Sequence, residues 1–358
     1  MLCPYASVAM VAAAAFGSRK LQCEATAKQA TLAFDVRGRF ASHQYPANSQ
    51  IEDRVSTAQL GKFMFFSVLD GHGGWQVAER LRTSLPEHVR NHLNQTHSPE
   101  EVMKLAFADA DDELKQAIGS AYSLGFSKLA KVGACCLAVL VGPESLTVSN
   151  AGDCKGILCR KNQAIPLNRQ LNANEIYEQE NLRSAHPGEA DVVRCKREWL
   201  EKKRTGIFGY EEVKRFSGCY VKGLLQPTRG FGDFYLKDER FATDYERGRS
   251  FVNLPHSFPY ISSEPETATF SRTADDKFIV LATDGLWDEL TDEEVVDLAE
   301  KAMKAGASAE EVAALLVEQA LKKAAQAAQI RVEDLKRIPQ GGSRRSIHDD
   351  ISVLVVIL

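Results

Sequence analysis

The sequence lacks the features that mark a membrane protein, a nucleic-acid-binding protein or a disulfide-rich domain. No apolar segment approaches the roughly 18 residues that a membrane-spanning helix needs. The net charge is −4, so no excess of lysine and arginine is available to contact the phosphates of a nucleic acid. Eight cysteines are scattered without repeated C-x-x-C pairs, so neither a zinc site nor a dense disulfide framework is indicated. We expect a soluble protein of a reducing, intracellular compartment.

Long tracts rich in Gly and Ser or in Pro are also missing, so nothing in the sequence separates two domains. We predict one domain over residues 31–358, present as a monomer, after an N-terminal extension at residues 1–30. The apolar segment at residues 5–17 of this extension is too short to span a bilayer and is followed by the basic residues Arg19 and Lys20. It is either a presequence or an N-terminal strand or tail, and the compartment is cytoplasmic or mitochondrial.

Six short segments rich in apolar and β-branched residues are candidates for β-strands. They are FMFFSVLD (63–70), GACCLAVLVG (133–142), SLTVSNAGD (145–153), KGILCRKN (155–162), KFIVLATDG (277–285) and ISVLVVIL (351–358). Several are separated by too few residues for a crossover helix, so we predict antiparallel pairing.

Helix starts are recognisable at Ser98, Thr291 and Ser308, because each is followed three residues later by a glutamate in the spacing of a capping box. Behind each start the apolar residues recur on one face, so each helix buries one side only. Such helices, grouped in pairs beside antiparallel strands, predict an α+β fold in which sheets pack on each other and helices cover the outer faces.

The segment at residues 172–222 is poor in strand pattern and rich in charge, with RCKREWLEKKRTG at residues 194–206. Charge runs of this kind are typical of a solvated helix and loop. A docking surface for a partner is the alternative interpretation.

Carboxylates stand at the ends of the most apolar strand candidates. Asp70 and Asp284 end two of them, Asp153 lies between two more, and Asp349 and Asp350 begin the last. A carboxylate at the end of a buried strand is costly to desolvate unless a positive charge meets it, and several together repel one another. Each Asp-Gly pair alone is better explained as a turn, but the recurrence indicates a hard cation such as Mg²⁺ or Mn²⁺.

Residues around Asp70 fit the same interpretation. Gly71 leaves a backbone carbonyl open to a metal because it carries no side chain. His72 is either an ordinary turn histidine or, beside a metal cluster, a group that gives a proton to a leaving oxygen. Glu52 and Asp53 precede the strand and add two more carboxylates.

These motifs, taken in order, resemble the metal-dependent Ser/Thr protein phosphatases of type 2C. The resemblance runs from about Tyr45 to Leu358 through IEDR, VLDGHGG, VSNAGDCKGIL, QPTRGFGDFYLK, LATDGLWDEL and HDDISVLVV. YPANSQIEDR and GCYVKGLLQPTRGFGD resemble most closely the pyruvate dehydrogenase phosphatase branch. The family implies a four-layer αββα sandwich of two antiparallel sheets flanked by helix pairs, with a two-metal site at one end.

The resemblance also implies a role for each site residue. Asp70 matches the carboxylate that bridges both metals, and Gly71 a carbonyl ligand of one. The further matches are Asp284 and Asp349 as ligands of the other metal, Glu52 and Asp53 as the acidic pair that holds metal-bound waters, and His72 as the general acid; Asp233 lies in a motif that shapes the cleft. Two Mg²⁺ or Mn²⁺ ions would activate a bridging hydroxide that hydrolyses phosphoserine and phosphothreonine in protein substrates.

Two positions depart from the family pattern. Asn48 stands where many members carry a phosphate-binding arginine, and the nearby Arg54 is predicted to point away. Arg169 stands where we expect an aspartate for a weaker third metal, which puts that metal in doubt unless Asn172 or Glu175 takes this role. Arg169 is also the one feature that favours a pseudophosphatase, a binding module on the same fold. A hydrolase of small phosphate esters is a further alternative, because the chemistry would be the same.

Overall fold

The computed structural model describes residues 39–95, 98–196, 198–205, 209–216 and 218–358, with only the backbone described between 198 and 216. The extension predicted at residues 1–30 lies outside these residues. Among the described helices, none combines the length and the apolar character that crossing a membrane requires.

Strands make up much of the described chain. They are β1 (Phe40–Tyr45), β2 (Arg54–Leu60), β3 (Phe63–His72), β4 (Gly133–Val141), β5 (Ser145–Ala151), β6 (Lys155–Arg160), β7 (Gln163–Pro166), β8 (Val193–Cys195), β9 (Glu198–Thr205), β10 (Gly209–Phe216), β11 (Cys219–Val221), β12 (Phe231–Gly232), β13 (Thr243–Asp244), β14 (Arg249–Ser250), β15 (Glu266–Ser271), β16 (Asp276–Ala282) and β17 (Ile351–Ile357).

The helices are distributed between and after the strands. They are α1 (Gln76–Leu93), α2 (Pro99–Ser123), α3 (Ile176–Ala185), α4 (Phe234–Lys237), α5 (Asp284–Trp287), α6 (Asp292–Lys304), α7 (Ala309–Ala327), α8 (Val332–Arg337) and α9 (Gly342–Arg345).

Two antiparallel sheets form the centre of the molecule. One has the strand order β1-β17-β16-β6-β7, and the other has the order β15-β5-β4-β3-β2 with β12 added beside β4. α1 and α2 pack on the outer face of the second sheet, and α6 and α7 pack on the outer face of the first. This order of layers is the predicted αββα sandwich.

Strict alternation along the strands sends side chains into two different cores. In β3, Phe66 and Val68 face the other sheet, whereas Phe65 and Leu69 face the helices. Each sheet is covered by the other sheet on one face and by helices on the other. Both faces of these strands are therefore buried, which explains why the strands are continuously apolar. The adjacent Cys135 and Cys136 of β4 are both buried and divide between the two cores in the same way, as predicted for packing residues.

All six strand candidates form strands, and the three helix starts are also confirmed. Thr291 and Ser308 each form a reciprocal capping box, and the Ser98 hydroxyl accepts a hydrogen bond from the backbone N–H of Glu101 at 3.3 Å. The strands β1 and β15 escaped sequence reasoning because they are edge strands with partly exposed, polar residues rather than apolar runs.

The interpretation of residues 194–206 as a solvated helix and loop was wrong. The segment enters β9, which pairs with β10 as a two-stranded antiparallel hairpin. The backbone register places Glu211 opposite Lys203 and Glu212 opposite Lys202. At the base of the hairpin, β8 pairs with β11 and a disulfide joins Cys195 to Cys219.

Candidate active site

The two sheets bring their acidic strand ends to one end of the sandwich. Asp284 follows β16, and Asp349 precedes β17; because these neighbouring strands run antiparallel, the end of one meets the start of the other. Asp70 lies near the end of β3 in the facing sheet. The fold therefore places at one edge three carboxylates that are far apart in the sequence.

A glycine after each of two aspartates lets the acidic segments approach closely. A Cβ atom on Gly71 would lie 2.4 Å from the carbonyl oxygen of Glu52. A Cβ atom on Gly285 would lie 2.2 Å from the carbonyl oxygen of Asp350. Any side chain at either glycine would push the neighbouring carboxylate segment away, so both Asp-Gly pairs have a packing reason beyond turn formation.

Asp350 holds the loop that carries Asn48 and Glu52. Its Oδ1 accepts hydrogen bonds from the backbone N–H groups of Ala47 at 2.6 Å and Asn48 at 3.0 Å. Its Oδ2 accepts from the Asn48 side-chain amide at 3.0 Å and from the Glu52 N–H at 2.8 Å. Both oxygens thus act only as acceptors, and the buried carboxylate fixes the position of Glu52.

Asp53 is held separately, from the opposite sheet. Its Oδ2 accepts a hydrogen bond from the Thr283 hydroxyl at 2.8 Å, and that hydroxyl in turn accepts from the Ser352 N–H at 3.0 Å. Thr283 immediately precedes Asp284, so one hydroxyl links the two acidic segments.

Burial and mutual repulsion raise the pKa values of these carboxyl groups. Burial, and then the proximity of Asp284, Asp53 and Asp349, raise the pKa of Asp70 well above its usual range. Burial followed by Asp350 raises the pKa of Asp53 to about 8 and that of Glu52 to about 7. For Asp349 burial dominates, and its pKa rises to about 6 despite the ion-paired guanidinium of Arg345. The cluster holds more negative charge than the protein neutralises.

The donor set suits a hard divalent cation. The buried Oδ1 of Asp284 has no hydrogen-bond partner among the described residues. The acidic groups that interact with it supply oxygen atoms only, which Mg²⁺ and Mn²⁺ prefer. In the described ranges, no three His, Cys, Asp or Glu side chains are already grouped as a metal site. The residues therefore fit a cation by their chemistry, without forming a finished coordination sphere.

His72 is paired with a residue of the cleft motif. Its Nε2 lies 2.5 Å from Oδ2 of Asp233, which is buried. Gly133 leaves room for the pair, since a Cβ atom there would lie 1.9 Å from Asp233 Oδ2 and 2.5 Å from His72 Nε2. Burial lowers the pKa of His72, but Asp233, and then Asp153 and Glu52, raise it, and its pKa lies above the usual value.

Two further carboxylates belong to the cluster. Asp153 contributes to the raised pKa values of Asp70, Asp284 and Asp288, and its Oδ1 accepts from the Cys135 thiol at 3.1 Å. Asp288 lies one helical turn after Asp284 in the sequence. Asp153 was visible in the sequence as a carboxylate between two strands but was not assigned to the site, and Asp288 was missed. The four-residue spacing of Asp284 and Asp288, which places them on one helical face, was the signal available.

The two departures from the family pattern, Asn48 and Arg169, and the nearby Arg54 each have a partner within the protein. Asn48 directs its amide to Asp350, and Arg54 pairs with Glu79 at 2.5 Å. Arg169 pairs with Glu266 and stacks over the Tyr177 ring at 4.5 Å, with its side chain 60% exposed. Arg169 therefore contacts an acidic neighbour and gives no reason to exclude a further cation at the carboxylate cluster.

The comparisons with known proteins agree with this geometry. Residues 37–328 match the family described as Protein phosphatase 2C. The chain is 31% identical over 327 residues to "Probable protein phosphatase 2C 25" of Oryza sativa subsp. japonica, covering 90% of this chain and 78% of the relative. It is 29% identical over 338 residues to "Probable protein phosphatase 2C 38" of Arabidopsis thaliana, covering 90% and 81%.

A solved structure shares the fold. The serine-threonine phosphatase 2C of Toxoplasma gondii superposes with a TM-score of 0.58 at 17% identity, covering 89% of this chain and 94% of that one.

Proposed function

The chain belongs to the protein phosphatase 2C family, whose members dephosphorylate phosphoserine and phosphothreonine in proteins with the help of divalent metals, and we propose that its acidic cluster is the reaction site. The observation that supports this proposal most strongly is the set of partly buried, mutually repelling carboxylates, in which one oxygen of Asp284 has no hydrogen-bond partner within the described part of the chain. Bound cations would offset this charge and let the carboxylates stay ionised at neutral pH.

We assign the metal ligands by their position in the cluster. Asp70, the carbonyl of Gly71, Asp284 and Asp349 would hold two Mg²⁺ or Mn²⁺ ions. When bound, the cations supply an acidified water and positive charge for the phosphoryl oxygens. Asp153 and Asp288 extend the donor set beside Asp284 and would hold a third cation.

The chain's own residues place the remaining groups. Glu52 and Asp53, fixed by Asp350 and Thr283, accept hydrogen bonds from water at the edge of the cluster. His72 donates a proton to the departing alkoxide oxygen of serine or threonine. Asp233 acts as a positioning residue, because its carboxylate holds the His72 ring and stabilises the protonated form.

Arg345 is our candidate for holding the substrate phosphate in place of the arginine that is absent at position 48. Its guanidinium pairs with Asp349, partly offsets the burial that raises the pKa values of Glu52 and Asp288, and stays partly exposed at 47%. A guanidinium at the open edge of an acidic cluster can turn to a phosphate oxygen, with which it forms charge-assisted hydrogen bonds.

The finer assignment to the pyruvate dehydrogenase phosphatase branch stays a prediction, since the relatives reported above carry general names of the family. The pseudophosphatase alternative loses its one supporting feature, because Arg169 pairs with Glu266.

The proposed site is tested by phosphate release from a phosphothreonine peptide by wild type and by Asp284→Asn. Release should require Mg²⁺ or Mn²⁺, stop with chelator, and fall by at least about a hundredfold in the variant. Asp297→Asn, an exposed isosteric change in α6, is the control. Metal-dependent release that survives in Asp284→Asn would contradict the assignment.

A further inference from the structure

A groove of about 800 Å³ opens beside the reaction site, and its lining residues include none of those assigned to the reaction. It starts at Gly73, the residue after His72. One wall comes from Lys128 and Lys131, and the other from the segment between Asp244 and Leu254. A substrate whose phosphorylated residue is near His72 would have its neighbouring residues at the entrance of this groove.

The lining of the groove is basic, although the whole chain carries a net charge of −4. Four cationic residues line it, Lys128, Lys131, Arg247 and Arg249, against the carboxylates of Asp244 and of Glu246, which pairs with Lys128 at 2.5 Å. Arg247 lies 3.8 Å from Asp244 and has a side chain that is 63% exposed. An ion pair this long and exposed contributes little and can be exchanged for a partner's carboxylate.

Apolar side chains collect at the same groove. Among the described residues, five large apolar side chains are exposed, and three of them, Leu224, Tyr245 and Leu254, line it or lie next to a lining residue. Leu254 is 78% exposed. Exposed apolar residues that gather beside charged ones mark binding surfaces more often than scattered ones do.

A buried ion-pair network holds the wall of the groove in place. The Lys222 ammonium is buried, donates to Glu189 at 3.0 Å and Asp191 at 2.6 Å, and also donates to the carbonyl of Pro255 at 2.9 Å. Pro255 directly follows Leu254, so the exposed leucine projects from an anchored backbone. A wall that is fixed before binding lowers the entropy lost when a ligand docks.

We propose that this groove binds the segment of the phosphoprotein substrate adjoining the phosphorylated residue, and that it selects segments with acidic residues and one large apolar residue. The inference rests on the proposed function, which places the phosphorylated residue near His72. A nucleic acid would also be attracted to the basic lining, but the leucine and tyrosine side chains and the adjoining reaction site favour a peptide.

The test compares phosphothreonine peptides that carry Glu-Glu-Leu or Lys-Lys-Leu on one side of the phosphothreonine, with each placed N-terminal and then C-terminal. For wild type, kcat/KM should favour the acidic peptide over the basic one by about tenfold for one of the two placements. Arg247→Glu with Arg249→Glu should remove this preference mainly through KM. Hydrolysis of p-nitrophenyl phosphate, which has no flanking segment, should stay unchanged.

A matched control reverses the charge of two exposed arginines in and beside α8, Arg331→Glu with Arg337→Glu. The change in net charge is the same as in the groove variant. Equal rates for acidic and basic peptides in wild type, or the same loss in the control variant, would overturn the proposal. So would an equal loss on p-nitrophenyl phosphate.

A binding measurement separates this inference from the proposed function. If wild type hydrolyses neither peptide nor p-nitrophenyl phosphate with Mn²⁺, the proposed function fails. Fluorescence anisotropy of an unphosphorylated Glu-Glu-Leu peptide then still tests the groove: binding that is lost in the Arg247/Arg249 variant supports it. Absence of peptide binding, or stronger binding of a single-stranded oligonucleotide at the same residues, overturns it.

Discussion

The Nε2 atom of His72 lies 2.5 Å from Oδ2 of Asp233, and the two residues are 161 positions apart in the chain. Asp233 adopts a left-handed backbone conformation with φ 48°, which is uncommon for a residue other than glycine. This backbone conformation costs energy, and it places a buried carboxylate against a histidine. We infer that it is retained because the reaction site requires this contact.

If His72 protonates the leaving oxygen, the loss of activity in His72→Ala should depend strongly on the leaving group. Release from a phosphothreonine peptide should fall by about a hundredfold or more, because an alkoxide leaves poorly without a proton. Hydrolysis of p-nitrophenyl phosphate should fall much less, since its phenolate needs no proton. In Asp233→Asn, the loss on the peptide should again exceed the loss on p-nitrophenyl phosphate, but by a smaller factor. An equal loss on both substrates would indicate a structural role only.

Replacing Asp350 by asparagine should destabilise the protein although the two side chains have the same shape. Both carboxylate oxygens accept hydrogen bonds, so one of them would become an NH₂ group that faces donors. We expect a loss of about 1–3 kcal/mol in the free energy of unfolding, measured by urea denaturation. Asp297→Asn is the exposed control and should cost almost nothing. Unchanged stability in Asp350→Asn would contradict the hydrogen-bond assignment.

Removal of metal should make stability fall as the pH rises. Glu52, Asp53 and Asp349 have pKa values raised to about 7, about 8 and about 6. A group with a raised folded-state pKa contributes stability that is complete below its unfolded pKa and is lost as the pH rises through the folded value. With chelator, the melting temperature should therefore drop by several degrees between about pH 5.5 and 8.5.

Added Mg²⁺ should reduce this drop, because it binds the ionised carboxylates of the folded protein. A melting temperature that is independent of pH with chelator, or that rises over this interval, would argue against an uncompensated acidic cluster.

Arg345→Ala should weaken binding of the phosphoryl group. Loss of a charge-assisted hydrogen bond predicts an increase of about tenfold to a hundredfold in KM for the phosphothreonine peptide and in the inhibition constant of inorganic phosphate. Arg345→Lys keeps the charge and should recover part of the affinity. Both are measured at saturating Mn²⁺, because Arg345 also pairs with Asp349. An unchanged inhibition constant for phosphate would remove Arg345 from the site.

The layers of the fold could be predicted from the sequence because the buried strands are continuously apolar and the helix caps follow a strict spacing. It failed for the hairpin of β9 and β10, where charged residues hide the strand pattern and cross-strand register decides the structure. The carboxylates at the strand ends were visible because they interrupt apolar runs.

Other parts of the site depend on contacts that no local pattern shows. Asp233 is hydrogen-bonded to His72, 161 residues away, and Asp350 accepts hydrogen bonds from backbone groups some 300 residues earlier in the chain. The role expected for Arg169 depended on a position in the family pattern, whereas its actual partner, Glu266, lies 97 residues away.

The central claim is that Asp70, Asp284 and Asp349 hold the divalent cations of a phosphatase. Anomalous diffraction from crystals grown with Mn²⁺ tests it most directly, because the scattering locates each ion. We predict two strong peaks, with Asp70 between them and Asp284 and Asp349 beside one. A map without Mn²⁺ among these three carboxylates, from a protein that still releases phosphate, would contradict the account.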